Sequence, residues 1–414
     1  MFIRLLCFVS LLSAAPAFAA ATTLTLAQTA DHVRRHHPAL SAARMAIEEA
    51  RGRLLGAGRL ANPSVGFEFQ NESRVSPRTL QVSLDQSFPL TKRLSLEKRL
   101  SAQLVTAAEL EVLDAERRLI AEAQTLVVKF LALEEQRALR EKQAALARQL
   151  SDFAKERSAK GELSPLDAAQ AQVDAQRSLL ESGRMEAERV SLLGELKGKL
   201  GLSPADSLAI QGGLPPMTVP AGDAWHQRAD YQASRLREQS AQTGIDLAKA
   251  RKWQDMSAGL FTAQESIDSP TAARERTGFV GFRFSLPLPF WNRNEGEIAE
   301  KTASAQRAVL ETQALASEIS NEAATARSEM AANARLVTES KEGLLPLMIE
   351  QTERLEEAYK TGEADLLTIL RAREQRLQME AAVLDSVRDF HLARIRYEAA
   401  TGRYAPAAAP SAGK

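Results

Sequence analysis

Cysteine is almost missing from this 414-residue chain, with Cys7 the only one. A disulfide framework and a thiolate metal site are therefore excluded from the mature protein. Net charge is missing as well: 53 basic residues balance 53 acidic ones, which argues against a nucleic-acid partner. Aromatic residues make up only 5%. Beyond the N-terminus no apolar run reaches the roughly eighteen residues of a membrane-spanning helix. The five histidines are His32, His36, His37, His226 and His391. His36 and His37 are adjacent, diverge by about 100° on a helix, and cannot chelate together easily. Ser41, not a ligand, follows His37 by four. Structural or capping roles are expected for these histidines, and no metal site. No Gly-rich phosphate loop, nucleophile elbow or zinc-protease helix is present, so neither catalysis nor a cofactor is expected.

What is present begins with Arg4, the apolar stretch Leu5 to Leu12 and Ala17-Phe18-Ala19. This reads as a signal peptide over 1–19, cut before Ala20. Cys7 lies inside its apolar core, so a lipoprotein anchor is not expected. Ala, Leu, Glu, Arg and Gln dominate the remainder, a composition of long helices and coiled coil. A chain of this kind crosses a membrane only as a closed β-barrel, because every backbone group must be paired in lipid.

The sequence is also duplicated. Gly161-Glu162-Leu163-Ser164-Pro165-Leu166 is echoed by Gly362-Glu363-Ala364-Asp365-Leu366-Leu367, and Gly201 by Gly402. Both offsets are 201 (362 − 161 and 402 − 201), and Phe88-Pro89-Leu90 matches Leu286-Pro287-Leu288 at 198. Each copy reads as helix, strand, strand, very long helix, glycine turn, return helix. The first covers 20–201, with a β-hairpin at 62–88, a long helix at 92–160 and a return helix at 165–200. A Pro- and Gly-rich connector, 202–223, leads to the second at 224–404, with a hairpin at 254–287, a long helix at 294–360 and a return helix at 365–400. The tail, 405–414, reads as disordered.

Asn62-Pro63 ends the opening helical pattern of Leu26 to Leu60, and the period then changes to two. Val65 and Phe67 alternate with Glu68 and Gln70, and after a polar loop at Asn71 to Pro77, Leu80 and Val82 alternate with Gln81, Ser83 and Asp85. In the second copy Met256 to Thr262 is a weak strand and Glu265 to Arg276 a polar loop. Val280, Phe282 and Phe284 then alternate with Arg283 and Ser285. The apolar set is expected to face lipid and the polar set a wet lumen. Trp253, Phe290 and Trp291 fall at one end of the second strand pair, as an interfacial aromatic girdle would. Four strands are too few, since the smallest outer-membrane barrels need about eight. Several chains must contribute, and three give twelve strands.

The long helices would each extend on the order of 100 Å. In the first, Leu119, Ala123, Leu126, Phe130 and Leu133 form a coiled-coil seam. In the second, Gly343 and Pro346 are expected to kink or loosen the helix. The helix at about His226 to Lys252 and the opening helix would cover what the return helices leave bare. Leu370, Leu377 and Leu384 continue a seam toward His391, a packed polar residue. Gly161 and Gly362 are expected as helix caps, and Ser164 and Asp365 as N-caps of the return helices.

The duplicated plan, the proline at each strand-to-helix junction and the glycine at each tip resemble the TolC-type outer membrane factors over about 24–404. The resemblance implies a homotrimer in the outer membrane of a Gram-negative bacterium, with a 12-stranded barrel continued by a 12-helix periplasmic tunnel. It implies that the tips, with Gly161, Glu162, Ser164, Gly362, Glu363 and Asp365, meet a periplasmic adaptor and face an inner-membrane RND-type pump. The shortness, the lack of a lipidated cysteine and "HPAL" at His37 to Leu40 look most like the cobalt–zinc–cadmium efflux branch. Carboxylates that narrow the periplasmic entrance in some relatives align with Thr368 and Arg371 here, so a carboxylate ring is not expected.

Overall fold

The computed structural model describes residues 22–71, 78–220, 224–267 and 275–403. The signal-like segment 1–19, the loop after Asn71, most of the second polar loop, the end of the connector and the tail 405–414 lie outside the described residues. The protein is mainly helical with a small β part.

The chain opens with β1 (Thr22–Leu24), α1 (Leu26–His36) and α2 (Pro38–Gly56). One helix was expected over Leu26 to Leu60, and two are found. Pro38 holds His37 extended, at φ −73° and ψ 119°, because its ring disfavours helix in the residue before it. Next come β2 (Ser64–Asn71), β3 (Arg78–Phe88), α3 (Arg93–Ala159) and α4 (Pro165–Leu200). The expected plain connector contains β4 (Leu208–Ile210), which pairs in parallel with β1. The second copy supplies α5 (Ala229–Ala250), β5 (Met256–Ile267) and β6 (Glu275–Ser285). Its polar loop is therefore shorter than Glu265 to Arg276. Then follow α6 (Glu295–Glu339), α7 (Leu345–Thr361) and α8 (Leu366–Ala400).

Between α6 and α7 lies a π-helical turn, Ser340–Leu344, closed by the Leu345 N–H on the Ser340 carbonyl. Pro346 has no N–H to offer the preceding turn, and its ring crowds the carbonyl four residues back. The wider turn accommodates that crowding.

The helix ends repeat closely. At the tip of the first copy the Glu162 N–H bonds the Arg157 carbonyl at 2.9 Å, and in the second Glu363 bonds Ala358 at 2.8 Å. At the ends of the return helices Leu202 bonds Lys197 at 2.9 Å and Arg403 bonds Glu398 at 3.1 Å. These are the six-to-one bonds of Schellman caps.

Packing divides the chain into two compact units, and neither is a sequence repeat. Among the described residues, unit one contains 22–37, Leu119–Thr218 and Glu329–Leu392, and unit two contains the described parts of 38–118, 219–328 and 393–403. Each unit takes helix segments from both copies. In unit one the α3 seam residues Ala123, Leu126, Phe130 and Leu133 are buried, whereas Leu119 is half-buried. Val127, Val128, Leu131 and Ala132 are buried beside them, a broader face than a two-position seam. Burying one of the valine, leucine or phenylalanine side chains stabilises by about 1.5–3 kcal/mol. His391 is buried at 2% exposure against the edge of Phe390.

Unit two holds a buried charge network. Arg228 grips Asp230 with two hydrogen bonds of 2.8 and 2.6 Å and reaches Glu322 at 3.1 Å. Arg117 adds the Asp114 carboxylate at 2.7 Å and the Ala399 carbonyl at 3.3 Å. Burial would raise the Asp230 pKa, but Arg228, helped by Arg117, holds it below the usual carboxylate range. Satisfaction from several sides is what makes buried charge tolerable.

Candidate functional site: a two-faced sheet and two helix tips

In unit two the strands form one antiparallel sheet in the order β2-β3-β5-β6, so β3 and β5 join the two copies. Directly paired residues share a face. The register gives the rows Val65–Leu84–Leu260–Phe282 and Phe67–Val82–Thr262–Val280, with Leu80 paired to Phe69 and Phe284 to Ala258. Every residue expected on the lipid side therefore falls on one face. Its side chains are largely uncovered within the chain, Phe67 at 76% and Val280 at 79%.

The opposite face carries Ser64–Asp85–Gly259–Arg283, Gly66–Ser83–Phe261–Gly281 and Glu68–Gln81–Ala263–Phe279. Gln70 and Ser285 fall on this face by the same alternation. Phe261 and Phe279 on this polar face are a surprise. Their rings meet edge to face at 6.3 Å, and the Arg283 guanidinium lies 5.4 Å from the centre of the Phe261 ring. The Phe261 ring lies across Gly281, where an added Cβ would come within 2.4 Å of it. Glycine thus lets the ring lie along the sheet.

Hydrogen bonds to the last carbonyls of α5 fix the junctions below the sheet. Thr91 Oγ1 donates to the Ala250 carbonyl at 3.1 Å, and Asn294 Nδ2 to the Ala248 carbonyl at 2.9 Å. Arg93 pairs with Asp255 at 2.6 Å and Glu97 at 3.0 Å, and Arg251 with Glu297 at 3.1 Å. The Asn294 amide and then Arg251 hold Glu297 below the usual carboxylate range. Trp253, Phe290 and Trp291 surround this junction in sequence and are exposed, Trp291 at 96%.

In unit one, both tips are built on a left-handed glycine, Gly161 at φ +75° and Gly362 at φ +83°. An L side chain there costs about 1–2 kcal/mol, so glycine is the local solution. Ser164 Oγ accepts from the Leu166 N–H at 3.2 Å, and Asp365 Oδ1 from the Thr368 N–H at 3.0 Å. Hydrogen bonds from Thr368 hold the Asp365 carboxyl below its ordinary range. Glu162 is paired with Arg157, while Glu363, Thr368 and Arg371 are exposed. Behind the tips Ala154 and Ala171 form a small core with Leu150, Leu163 and Leu370, and Phe153 meets Tyr359 edge to face at 6.1 Å.

A cavity of about 340 Å³ lies farther along, lined by Arg140, Asp174, Glu181, Glu356, Arg373 and Glu374 among others. Burial, and then the Glu374 charge, push the Asp174 carboxyl up. The sequence reading missed this cluster. It also missed an exposed apolar stripe on α4, Leu166, Val173 and Leu180, at 76%, 62% and 69% exposure. Their spacing of seven was the available signal. Among the described residues no helix is long and apolar enough to cross a membrane.

No protein-family model and no curated relative matches this sequence. Solved structures do match. The outer-membrane channel OprN is 17% identical with a TM-score of 0.77, covering 92% of this chain and 91% of its own. CusC, whose structures concern transmembrane channel formation, is 15% identical with a TM-score of 0.76 over 91% and 92%. The outer membrane protein VceC from Vibrio cholerae is 18% identical with a TM-score of 0.72 over 91% and 96%. At such low identity the likeness is one of architecture, and over nearly its whole length this chain has the fold of the outer-membrane channel proteins.

Proposed function

We propose that three copies of this chain form a passive exit duct through the outer membrane of a Gram-negative bacterium. Their sheets close a twelve-stranded barrel, three times the four strands of the β2-β3-β5-β6 sheet. The two-faced sheet is the observation that carries this reading. A row such as Val65–Leu84–Leu260–Phe282 has no use on a wetted surface, and edge strands β2 and β6 need partners in lipid. The polar face, with Glu68, Gln70, Gln81, Ser83, Asp85, Arg283 and Ser285, lines the water-filled lumen. Trp253, Phe290 and Trp291 sit at the membrane interface.

The helices continue the duct into the periplasm, where the tips with Gly161, Glu162, Ser164, Gly362, Glu363 and Asp365 meet an adaptor. An inner-membrane RND-type pump supplies the driving force, and opening is a splaying of the tips between packed arrangements. The exposed Leu166, Val173 and Leu180 suit coiled-coil packing against a neighbouring helix. The sequence resemblance favours heavy-metal cations as cargo. Arg371 favours a second reading, drug export or type I secretion, because it sets a positive charge rather than a carboxylate near the mouth.

The test is extraction in mild detergent followed by electron microscopy. A three-fold particle about 140 Å long, a helix of roughly 100 Å plus a bilayer of about 40 Å, is the expected result. A detergent-free soluble monomer would overturn the proposal.

A further inference from the structure

Helix α1 carries two histidines one turn apart. The rings of His32 and His36 have centroids 4.6 Å apart and planes tilted by 31°. Residues four apart stand above one another on a helix face, so both imidazoles project from the same side. The sequence reading compared His36 with His37, and His37 with Ser41, and passed over this pair.

Their hydrogen bonds define which nitrogens are available. His36 Nδ1 lies 3.2 Å from the His32 carbonyl oxygen. A carbonyl only accepts, so Nδ1 carries the proton and Nε2 is left with a bare lone pair. His32 bonds the Leu200 carbonyl, and its Nε2 is shielded from solvent without a hydrogen-bond partner. The bond to Leu200 therefore falls to Nδ1, and Nε2 is again the bare nitrogen. An imidazole that donates one N–H to a backbone carbonyl and keeps the other nitrogen free is oriented as metal-bound histidines are.

Leu200 is also the last residue of α4. A helix C-terminus carries partial negative charge, which favours a cation nearby. His37 faces different surroundings, with Lys199 and Glu122 both acting on its ring.

We propose that His32 and His36 form a two-imidazole site for a divalent transition-metal ion of the copper, nickel and zinc class, with water completing the coordination. Imidazole nitrogen suits these ions. Among the described residues no cluster of three or more histidine, cysteine or carboxylate ligands occurs, so this is a two-ligand site and not a structural metal cage. The proposal stands on α1 and α4 alone and is independent of the duct reading.

The test uses the full mature chain, purified in mild detergent without a histidine tag and titrated with cupric chloride. Calorimetry reads the affinity, and electron paramagnetic resonance reads the nitrogen ligands. One copper per chain, with coupling to two imidazole nitrogens, is expected. H32Q and H36Q should each weaken binding by roughly tenfold or more, and H37Q should leave it unchanged. His36 is exposed, so H36Q probes the site without disturbing packing. An unchanged titration in the H32Q/H36Q double variant would overturn the proposal. So would an H37Q variant that loses as much affinity as H36Q, which would mark adventitious surface binding.

Discussion

The two copies of the module agree at their ends and differ in their middles. Their tip bonds, Arg157 to Glu162 and Ala358 to Glu363, are displaced by the same 201 residues as the return-helix bonds Lys197 to Leu202 and Glu398 to Arg403. Between junction and tip, α3 runs unbroken over Arg93–Ala159, whereas its counterpart is interrupted at Ser340–Leu344. The caps are preserved because helix termini must satisfy their orphan carbonyls, whatever the side chains around them. A helix interior has no such obligation, and the interruption falls beside Gly343 and Pro346, where the second copy carries two helix-weakening residues.

The largest effect should come from the sheet, where both copies contribute to the same apolar face. Val82→Arg in the first copy and Phe282→Arg in the second each place a charge there, and in the duct we propose each would cost about 2–4 kcal/mol near the membrane midplane. Loss of heat-resistant trimers on gels is expected for both. Normal trimers from either variant would break the equivalence of the two strand pairs.

The helix interiors offer a reciprocal exchange. Pro346 corresponds to Ala145 at the 201-residue offset, and Ala145 is exposed in mid-helix. Ala145→Pro should destabilise the first copy by roughly 3 kcal/mol or more, through the lost hydrogen bond and the ring clash. Pro346→Ala should leave stability unchanged or slightly raised. Thermal melts of both variants would check these two magnitudes.

The smallest effect separates the tips by pH. Ser164 does not titrate, and Ser164→Ala should cost about 1 kcal/mol at any pH. Asp365 is held below its ordinary pKa. Its capping is therefore complete above the ordinary carboxylate pKa and is lost as pH falls through the lowered value. Hydrogen exchange at the two tips should show the second loosening in acid while the first does not. Equal protection across that range would refute the assignment of Asp365 as the cap.

These contrasts explain what was legible in the sequence. Ser164-Pro165 and Gly201 mark α4 residue by residue, because caps are local chemistry. The alternation in β3 and β6 gives both faces of the sheet. The far end of β5 was invisible because Phe261 and Ala263 lie on the polar face and cancel the alternation there. β1 and β4 were missed because three residues are too few to show a period. Pro38 was in plain view, but the helical composition on either side masked its break. The sorting of helix segments into two units depends on packing between distant parts of the chain, and no local pattern records it.

The pairing of β3 with β5 has a historical consequence. That ladder joins the second strand of one copy to the first strand of the other over eleven residue pairs, Arg78↔Ser266 to Phe88↔Met256. In an ancestor carrying a single copy, the same ladder could form only between two separate polypeptides. With both copies in one polypeptide that ladder is internal, and each copy is free to mutate alone. The unbroken α3 and its interrupted twin are a product of that freedom.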